Sequence, residues 1–428
     1  MTMVCDRVKL HIWVKLHMAT LVQSRQRQGT FSALRHRNFR WYFVGQLVSI
    51  SGLWMQSVAQ GWLVFQLTRS ELALGMVACA AGIPSLLLSP FAGVVVDRFP
   101  RRSLLLATQT LQMALAFILA ALVITEAVQV WHIVLLAFIL GVSNSVDAPA
   151  RQAFIKDMVG PEDMSSGITL NSLMANGARV FGPAVAGLLL ATVGAGWCFF
   201  VNGATFLAVL LSLIVMQVPN PVPGVGRGSA ILQMREGLGY SRQHQTILPL
   251  LLLAAVFSTF AVNVITLLPA FADVVLHAPV NGLSLLSTAQ GIGAVLAGLT
   301  LAALSSRLGR GRVASIMIMM ASLSMLLLSQ TRALDVGVLL MGLFGFSLVL
   351  FFVNVNTMIQ NEVLDHYRGR VLSLFTLTFL GLTPLGALVL GLLAEVAGTP
   401  SALALYGLIN GLLGLLILIR WRAVWWIA

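Results

Sequence analysis

Charge is what this chain has least of: 9% of its 428 residues are Asp, Glu, Lys or Arg, against 58% that are hydrophobic. So little charge cannot wet the surface of a water-soluble globule of this size, and the composition fits a chain that uses lipid as its solvent. Cysteine is scarcer still. Cys5, Cys79 and Cys198 have no paired spacing, and the last two fall inside apolar stretches, so neither a disulfide framework nor a metal site is indicated. The chain also lacks an HExxH pair, a phosphate-binding loop and a nucleophile elbow, and four of its seven histidines (His132, His244, His277, His366) stand at the margins of apolar runs. No enzyme activity, cofactor or metal is therefore expected. Without a nucleotide site, work done by the chain would have to draw on an ion gradient or on a gradient of its own cargo.

Acids are outnumbered by bases, 14 to 26, for a net charge of +12. Such an excess raises nucleic acid as a partner if the bases form a patch. They are instead dispersed by an apolar period. Spans read at about residues 41–66, 71–96, 103–124, 131–150, 165–191, 196–217, 246–272, 279–304, 312–330, 335–358, 371–396 and 401–419 each have the length a bilayer requires. Twelve spans return both ends to one side, and nearly all of the 26 Lys and Arg fall on that side, from Arg7 to Arg40, then in turns such as Arg98 to Arg102, Arg307 to Arg312 and Arg368 to Arg370. The exceptions are Arg69 and Arg332 on the opposite face and Arg179 within a span. Basic connections mark the cytoplasmic face, so the pI reports orientation: a multi-pass membrane protein with both termini cytoplasmic and no nucleic-acid partner.

The chain divides into a basic tail (1–38), a first six-helix half (39–217), a linker (218–245) and a second half with a short basic tail (246–428). Within the tail, Val8 to His17 carries the tetrapeptide Val-Lys-Leu-His twice and no function is read from it; Met18 offers a later start. The linker opens with Pro219, Pro221 and Pro223 among glycines, which forbids helix. Ile231, Leu232, Met234, Leu238 and Tyr240 then alternate with Arg235, Glu236 and Arg242, as in a short amphipathic helix at the headgroups, or else a plain tether.

The halves repeat each other. Ile155, Val159, Gly182 and Gly187 fall on Ile359, Val363, Gly386 and Gly391 at one constant offset, and Gly82, Ile83 and Arg98 on Gly291, Ile292 and Arg307 at a slightly larger one. Parallel six-helix repeats imply a pseudo-two-fold axis along the membrane normal and a cavity between the halves at mid-membrane.

Three groups of residues stand out. The run Gly93-Val-Val-Val-Asp97-Arg98-Phe-Pro-Arg101-Arg102 is a charged turn with a small residue one helical turn before its acid, and the weaker Arg307-Leu-Gly-Arg310-Gly-Arg312 copies it. Asp147 lies four residues before Arg151, on one helix face, and shares its depth with Arg179, which is too costly in hydrocarbon unless paired or hydrated; the three form either a switchable cluster or fixed ion pairs. Asp147 is the only clearly intramembrane acid, with Glu395 a marginal second. Gly182, Pro183 and Gly187 let the fifth span bend and approach a neighbour. Gln46, Trp54, Gln56, Gln60 and Trp62 on span one, Asn263 on span seven, Gln290 on span eight, and Asn354 and Asn356 on span ten are candidate cavity groups or, singly, interhelical hydrogen bonds. Amides among aromatics suit an amphiphilic organic ligand.

The charged turn at Gly93 to Arg102 and the stretch Gly177-Ala-Arg179-Val-Phe-Gly182-Pro183-Ala-Val-Ala-Gly187 resemble signatures of the major facilitator superfamily. Trp54-Met-Gln56, Gln60-Gly-Trp62, Asp147-Ala-Pro149-Ala-Arg151-Gln152 and Leu170-Asn171-Ser172 are similar to its bacterial drug and siderophore exporter branch, over about residues 31–420. The resemblance implies an all-α, twelve-helix fold in two halves in the bacterial inner membrane, alternating access, and a small organic substrate carried outward by a monomer, with proton coupling. A facilitator or importer, or a transport-inactive sensor, would share these features. It also implies that Asp97 meets the start of helix eleven, near Gly369 and Arg370, as a latch when the protein opens outward. Spans one, four, seven and ten are implied to line the cavity. Two departures are Ala186, where the antiporter motif more often has glycine, and Ser306, where the second turn lacks its acid.

Overall fold

A computed structural model describes residues 31–216 and 230–427, so the repeated tetrapeptide of the tail and the proline-rich start of the linker lie outside the described residues. No strand occurs among them. Twelve long helices follow one another: α1 (Arg37–Thr68), α2 (Glu71–Arg98), α3 (Arg101–Ile124), α4 (Val130–Val159), α5 (Met164–Thr192), α6 (Ala195–Val215), α7 (Ile247–Val275), α8 (Pro279–Leu308), α9 (Arg310–Gln330), α10 (Leu334–Glu362), α11 (Asp365–Ala397) and α12 (Thr399–Arg420). Eleven of them are long and apolar enough to cross a membrane by length and composition. The exception is α1, whose Arg37, Arg40, Gln46, Gln56 and Gln60 lower its hydropathy; its 32 residues nonetheless reach as far as its neighbours.

The breaks between helices follow from local chemistry. Ser70 caps α2 by accepting from the Ala73 amide at 3.2 Å, Pro100 separates α2 from α3, and Gly309 (φ 80°) and Gly398 (φ 83°) supply the left-handed turns before α9 and α12. α7 is not a regular helix. Two π turns, Phe257–Ala261 and Phe271–Val275, interrupt it, and the side-chain nitrogen of Asn263 donates to the Thr259 carbonyl (2.8 Å) and the Ser258 carbonyl (3.3 Å), re-satisfying backbone that the wider turn releases.

Packing repeats with a shift of six helices. α1 lies on α6 as α7 lies on α12; α2 lies on α4 as α8 lies on α10; α3 lies on α6 as α9 lies on α12. Between the halves, α2 meets α11 and α8 meets α5, the same contact seen twice about the two-fold. The sequence repeat is therefore a structural one.

The arginine-rich turns share one end of the bundle, here the basic end; the turn holding Arg69 lies at the far end. Glycine permits the half-to-half contacts, and it does so toward the far end. A Cβ on Gly75 of α2 would stand 2.7 Å from the Ala387 carbonyl oxygen of α11, one on Gly391 would stand 2.7 Å from the Glu71 carbonyl oxygen, and Gly187 of α5 lies against Ser284 of α8. Toward the basic end, the corresponding positions Gly93, Gly177, Gly298 and Gly369 have no atom within 4 Å of an added Cβ. The halves are joined at the far end and parted at the basic end.

Two clasps hold the basic end within each half. The Ser32 hydroxyl donates to Asp163 at 2.6 Å and the His36 ring lies 2.8 Å from the other carboxylate oxygen, interactions that hold the Asp163 carboxyl below the usual range, the Ser32 bond contributing most. The linker helix, Ala230–Gln243, does not lie free on the headgroups: it docks on the start of α11, with Gly237 against Arg370, Tyr240 stacked on Tyr367 at 4.3 Å between centroids, and Glu236 paired with Arg370 at 3.1 Å. Its apolar side chains Ile231 and Leu232 lie outside the described residues. Valine at Gly75 would drive carbon into backbone and cost about 1–3 kcal/mol by overpacking. We expect Gly75→Val to lower the thermal unfolding midpoint in detergent and Gly93→Val to leave it unchanged; equal effects at the two glycines would contradict the parted basic end.

Candidate functional site

A cavity of about 250 Å³ lies between the halves, below their far-end contact. α1 contributes Trp54, Gln56, Ser57, Gln60 and Val64; α2 Leu74 and Val77; α4 Leu140; α5 Arg179 and Pro183; α7 Thr266 and Pro269; α8 Leu283, Ser287 and Gln290. Of the cavity candidates read from sequence, Trp54, Gln56, Gln60 and Gln290 line it. The others do not, and each has a packing role or a buried place. Gln46 is 1% exposed within α1, Trp62 packs on the main apolar core, and Asn263 repairs the α7 backbone. Asn354 accepts from Ser305 (2.8 Å) and donates to the Leu350 carbonyl, tying α10 to α8; Asn356 accepts from Gln360 on its own helix. Helix ten thus supplies no lining residue, while α2, α5 and α8 do.

The intramembrane charges fall into two sites. Asp147, 1% exposed, accepts from Thr108 and Gln109 of α3, each at 2.8 Å, and from the Arg151 guanidinium one turn along α4. Both donors from α3 share Oδ1 and Arg151 holds Oδ2, so the pair and its two donors tie α3 to α4. Arg179 is elsewhere. It sits about 22 Å along α5 from the basic end, its guanidinium 5.0 Å from the Trp54 ring centroid, and its buried Nε has no acceptor. Asp147, Arg151 and Arg179 are therefore not one cluster, because Arg179 faces the cavity and the other two face α3.

Gly182, Pro183 and Gly187 lie at the join of the halves. A Cβ on Gly182 would stand 2.5 Å from Cβ of Trp54, which brings α5 tight against α1, and the Pro183 carbonyl accepts from the Ser284 hydroxyl of α8 at 3.0 Å, while the carbonyl that the proline leaves without its helical donor is that of Arg179. The small residues act here as a close-contact surface next to the cavity wall.

The charged turn is divided in use. Arg101 grips Asp157 at the end of α4 with two bonds of 2.7 and 2.8 Å, and Arg102 donates to the Leu213 and Ile214 carbonyls at the end of α6, satisfying C-terminal acceptors. Asp97 and Arg98 are exposed and have no ion pair among the described residues, and Gly93 is uncovered. Arg370, the residue expected opposite Asp97, is engaged by Glu236 of the linker helix.

The far end holds a set of groups that sequence reading passed over. Arg69, in the left-handed turn that follows α1 (φ 53°), forms an ion pair with Asp273 of α7; Glu395 of α11 accepts from the Ser70 hydroxyl (2.8 Å) and the Leu72 amide (3.1 Å); Thr399 donates to Glu71 at 3.0 Å. Each contact crosses from one half to the other. The available signals were Arg69, one of two bases on the far side, and Glu395, an acid inside a span.

Among the described residues no group of His, Cys, Asp and Glu could hold a metal ion. Comparison with known proteins places the geometry in context. The sequence matches the family described as transmembrane secretion effector over residues 28–426. It is 24% identical over 385 residues to the staphyloferrin A transporter of Staphylococcus aureus, covering 86% of this chain and 92% of that one. It is 25% identical over 391 residues to the enterobactin exporter EntS of Escherichia coli O1:K1 / APEC, covering 90% and 93%. Its fold is similar to a POT family transporter solved with 5-aminolevulinic acid, at a TM-score of 0.76 and 11% identity over 93% of this chain and 98% of that chain.

Removing one member of a buried ion pair strands the other, at about 3–5 kcal/mol. Asp147→Ala is therefore expected to lower the unfolding midpoint by several degrees, and Asp147→Leu combined with Arg151→Met to recover most of the loss. A single variant as stable as the parent would show that the joint bears no load.

Proposed function

The chain belongs to the transmembrane secretion effector family of the major facilitator superfamily, and from that premise we propose that it exports a small amphiphilic organic compound by alternating access, driven by proton antiport. The observation that carries this reading is the asymmetry of the bundle: a cavity between the halves, a rim of inter-half bonds above it and uncovered glycines below it. Basic connections face the cytoplasm, so the basic end is the inner one and the structure is an inward-facing state. In that state the cavity loads from the cytoplasm.

Export then requires the outer rim to break and the inner end to close. Closure would bring Gly93 and Asp97 onto the start of α11, where an acid beside positive helix-end charge gains about 0.3–1 kcal/mol, more if Arg370 leaves Glu236 for Asp97. The latch proposed for Gly93, Asp97, Arg98 and Arg370 thus belongs to the outward-facing state, with Arg101 and Arg102 as its footing. Because the partners of Asp147 all lie within one half, the acids whose partners change in the cycle are Glu71, Asp273 and Glu395 at the outer rim, and these are the candidate proton-coupled groups. A cavity of about 250 Å³ falls just under the roughly 300–1,000 Å³ of ligand pockets, so a larger cargo requires further parting of the inner end.

Similarity to a siderophore transporter and a siderophore exporter supports the outward direction and an organic cargo. The test is accumulation of a probe panel, comprising a catecholate siderophore, an aryl carboxylate and a cationic dye, in cells lacking their own exporters. Expression is expected to lower accumulation of at least one probe several-fold and a protonophore to restore it; unchanged accumulation of every probe would reject export.

An exposed ion pair contributes about 0.2–1 kcal/mol, so losing one biases the two states by roughly fivefold at most. With the native cysteines replaced and Val64→Cys placed at the cavity, Asp273→Asn is expected to speed labelling by an impermeant thiol reagent from outside by up to about that factor. A labelling rate that does not change would remove the Arg69 to Asp273 pair from the outer seal.

A further inference from the structure

Resting on the export reading, we propose that Arg179 is the binding group for a carboxylate on the cargo, and that the substrate class is therefore an amphiphile with a single negative charge and an aromatic or aliphatic body. Among the residues that line the cavity, Arg179 is the one that carries a formal charge, and no Asp or Glu is present to balance it. The acid nearest in kind, Asp147, is consumed by Thr108, Gln109 and Arg151. No hydrogen bond or ion pair is made by the Arg179 side chain within the described residues, and its Nε is buried without an acceptor.

An uncompensated guanidinium in a membrane span is costly, and a structure tolerates it where an anion arrives. The surroundings define that anion. Trp54 covers one face of the guanidinium, which leaves its edge, with paired N–H donors, as the open approach; two oxygens of a carboxylate match that edge. A doubly charged phosphate would need a second cation, which the lining does not supply. The same lining holds neutral donors and acceptors, Gln60, Gln290 and Ser287, and the apolar Val64, Leu74 and Leu283, a wall suited to an uncharged body.

Position couples the group to the cycle. The Arg179 carbonyl lies against Gly291 of α8, and Pro183, one turn on, accepts from Ser284, so Arg179 stands at the α5 to α8 seam that must shift when the halves rock. A bound carboxylate would cancel the one charge at that seam. An anion leaving the cell also moves with an inside-negative membrane potential.

The test uses the full chain in lipid nanodiscs and three probes of one shape: 1-naphthoate, 1-naphthamide and 1-naphthylmethylammonium, with affinity read by calorimetry. Naphthoate is expected to bind the parent roughly tenfold more tightly than naphthamide, the ratio a charge-assisted pair gives over a neutral one, and ammonium more weakly than either. Arg179→Gln is expected to bring naphthoate down to the naphthamide level while naphthamide is unchanged, and Arg179→Lys to keep part of the preference. Equal binding of acid and amide by the parent, tighter binding of the ammonium, no binding of any probe, or a naphthoate preference that survives Arg179→Gln would each overturn the proposal. The ranking in the parent needs no variant to fold. Efflux of the ammonium without binding of naphthoate would sink this proposal and leave export standing; naphthoate binding in the expected order without efflux of any probe would sink export instead.

Discussion

Lipid offers helices no hydrophobic reason to associate, so the halves of this bundle are held by close contact and a few polar bonds, and where those contacts lie decides what the molecule can do. They lie on α2 against α11 and on α5 against α8, gathered toward one end by Gly75, Gly187 and Gly391. Along the same helices, Gly93, Gly177, Gly298 and Gly369 touch nothing across the gap. Small residues line this seam, and only its far-end part is engaged. The polar rim at Arg69, Asp273, Glu71 and Glu395 adds to the far-end contact at low cost to separate, since exposed pairs and single hydrogen bonds are individually weak.

Charges inside the membrane divide by what surrounds them. Asp147 and Arg151 satisfy each other and draw in Thr108 and Gln109, which makes a rigid joint within one half. Arg179 has an aromatic face and open space. The first arrangement suits a domain that must rock as a body; the second suits a site whose occupant comes and goes. The two cannot exchange roles, because the carboxylate of the joint is already held by Arg151 and two α3 donors and the cavity offers its guanidinium no carboxylate.

Much of the fold was legible because lipid imposes coarse rules. Span lengths, alternation of basic connections and the six-helix repeat each read directly, and the observed helices differ from the expected spans mainly by running longer, as α4 does to Val159. The site was less legible. Gln46, Trp62, Asn263, Asn354 and Asn356 have the same composition as the true lining residues Trp54, Gln56, Gln60 and Gln290, and only packing separates an amide facing a cavity from one mending a π turn. Arg179 and Asp147 agreed in depth but not in azimuth, which one sequence without a helix-packing map does not give. The far-end rim was not legible as a unit because its members sit far apart in the chain, Arg69 with Asp273 and Ser70 with Glu395, and each alone reads as a turn or a helix end.

The central claim is that the two halves move as bodies about the cavity, opening one end as the other closes. Spin labels at Arg98 and Arg307 report the basic end, and labels at Leu67 and Val274, both exposed, report the far end. Distances measured by pulsed electron resonance in nanodiscs, across conditions that shift the resting state, should change in opposite directions at the two ends. Distances that stay fixed at both ends, or lengthen and shorten together, would contradict the account.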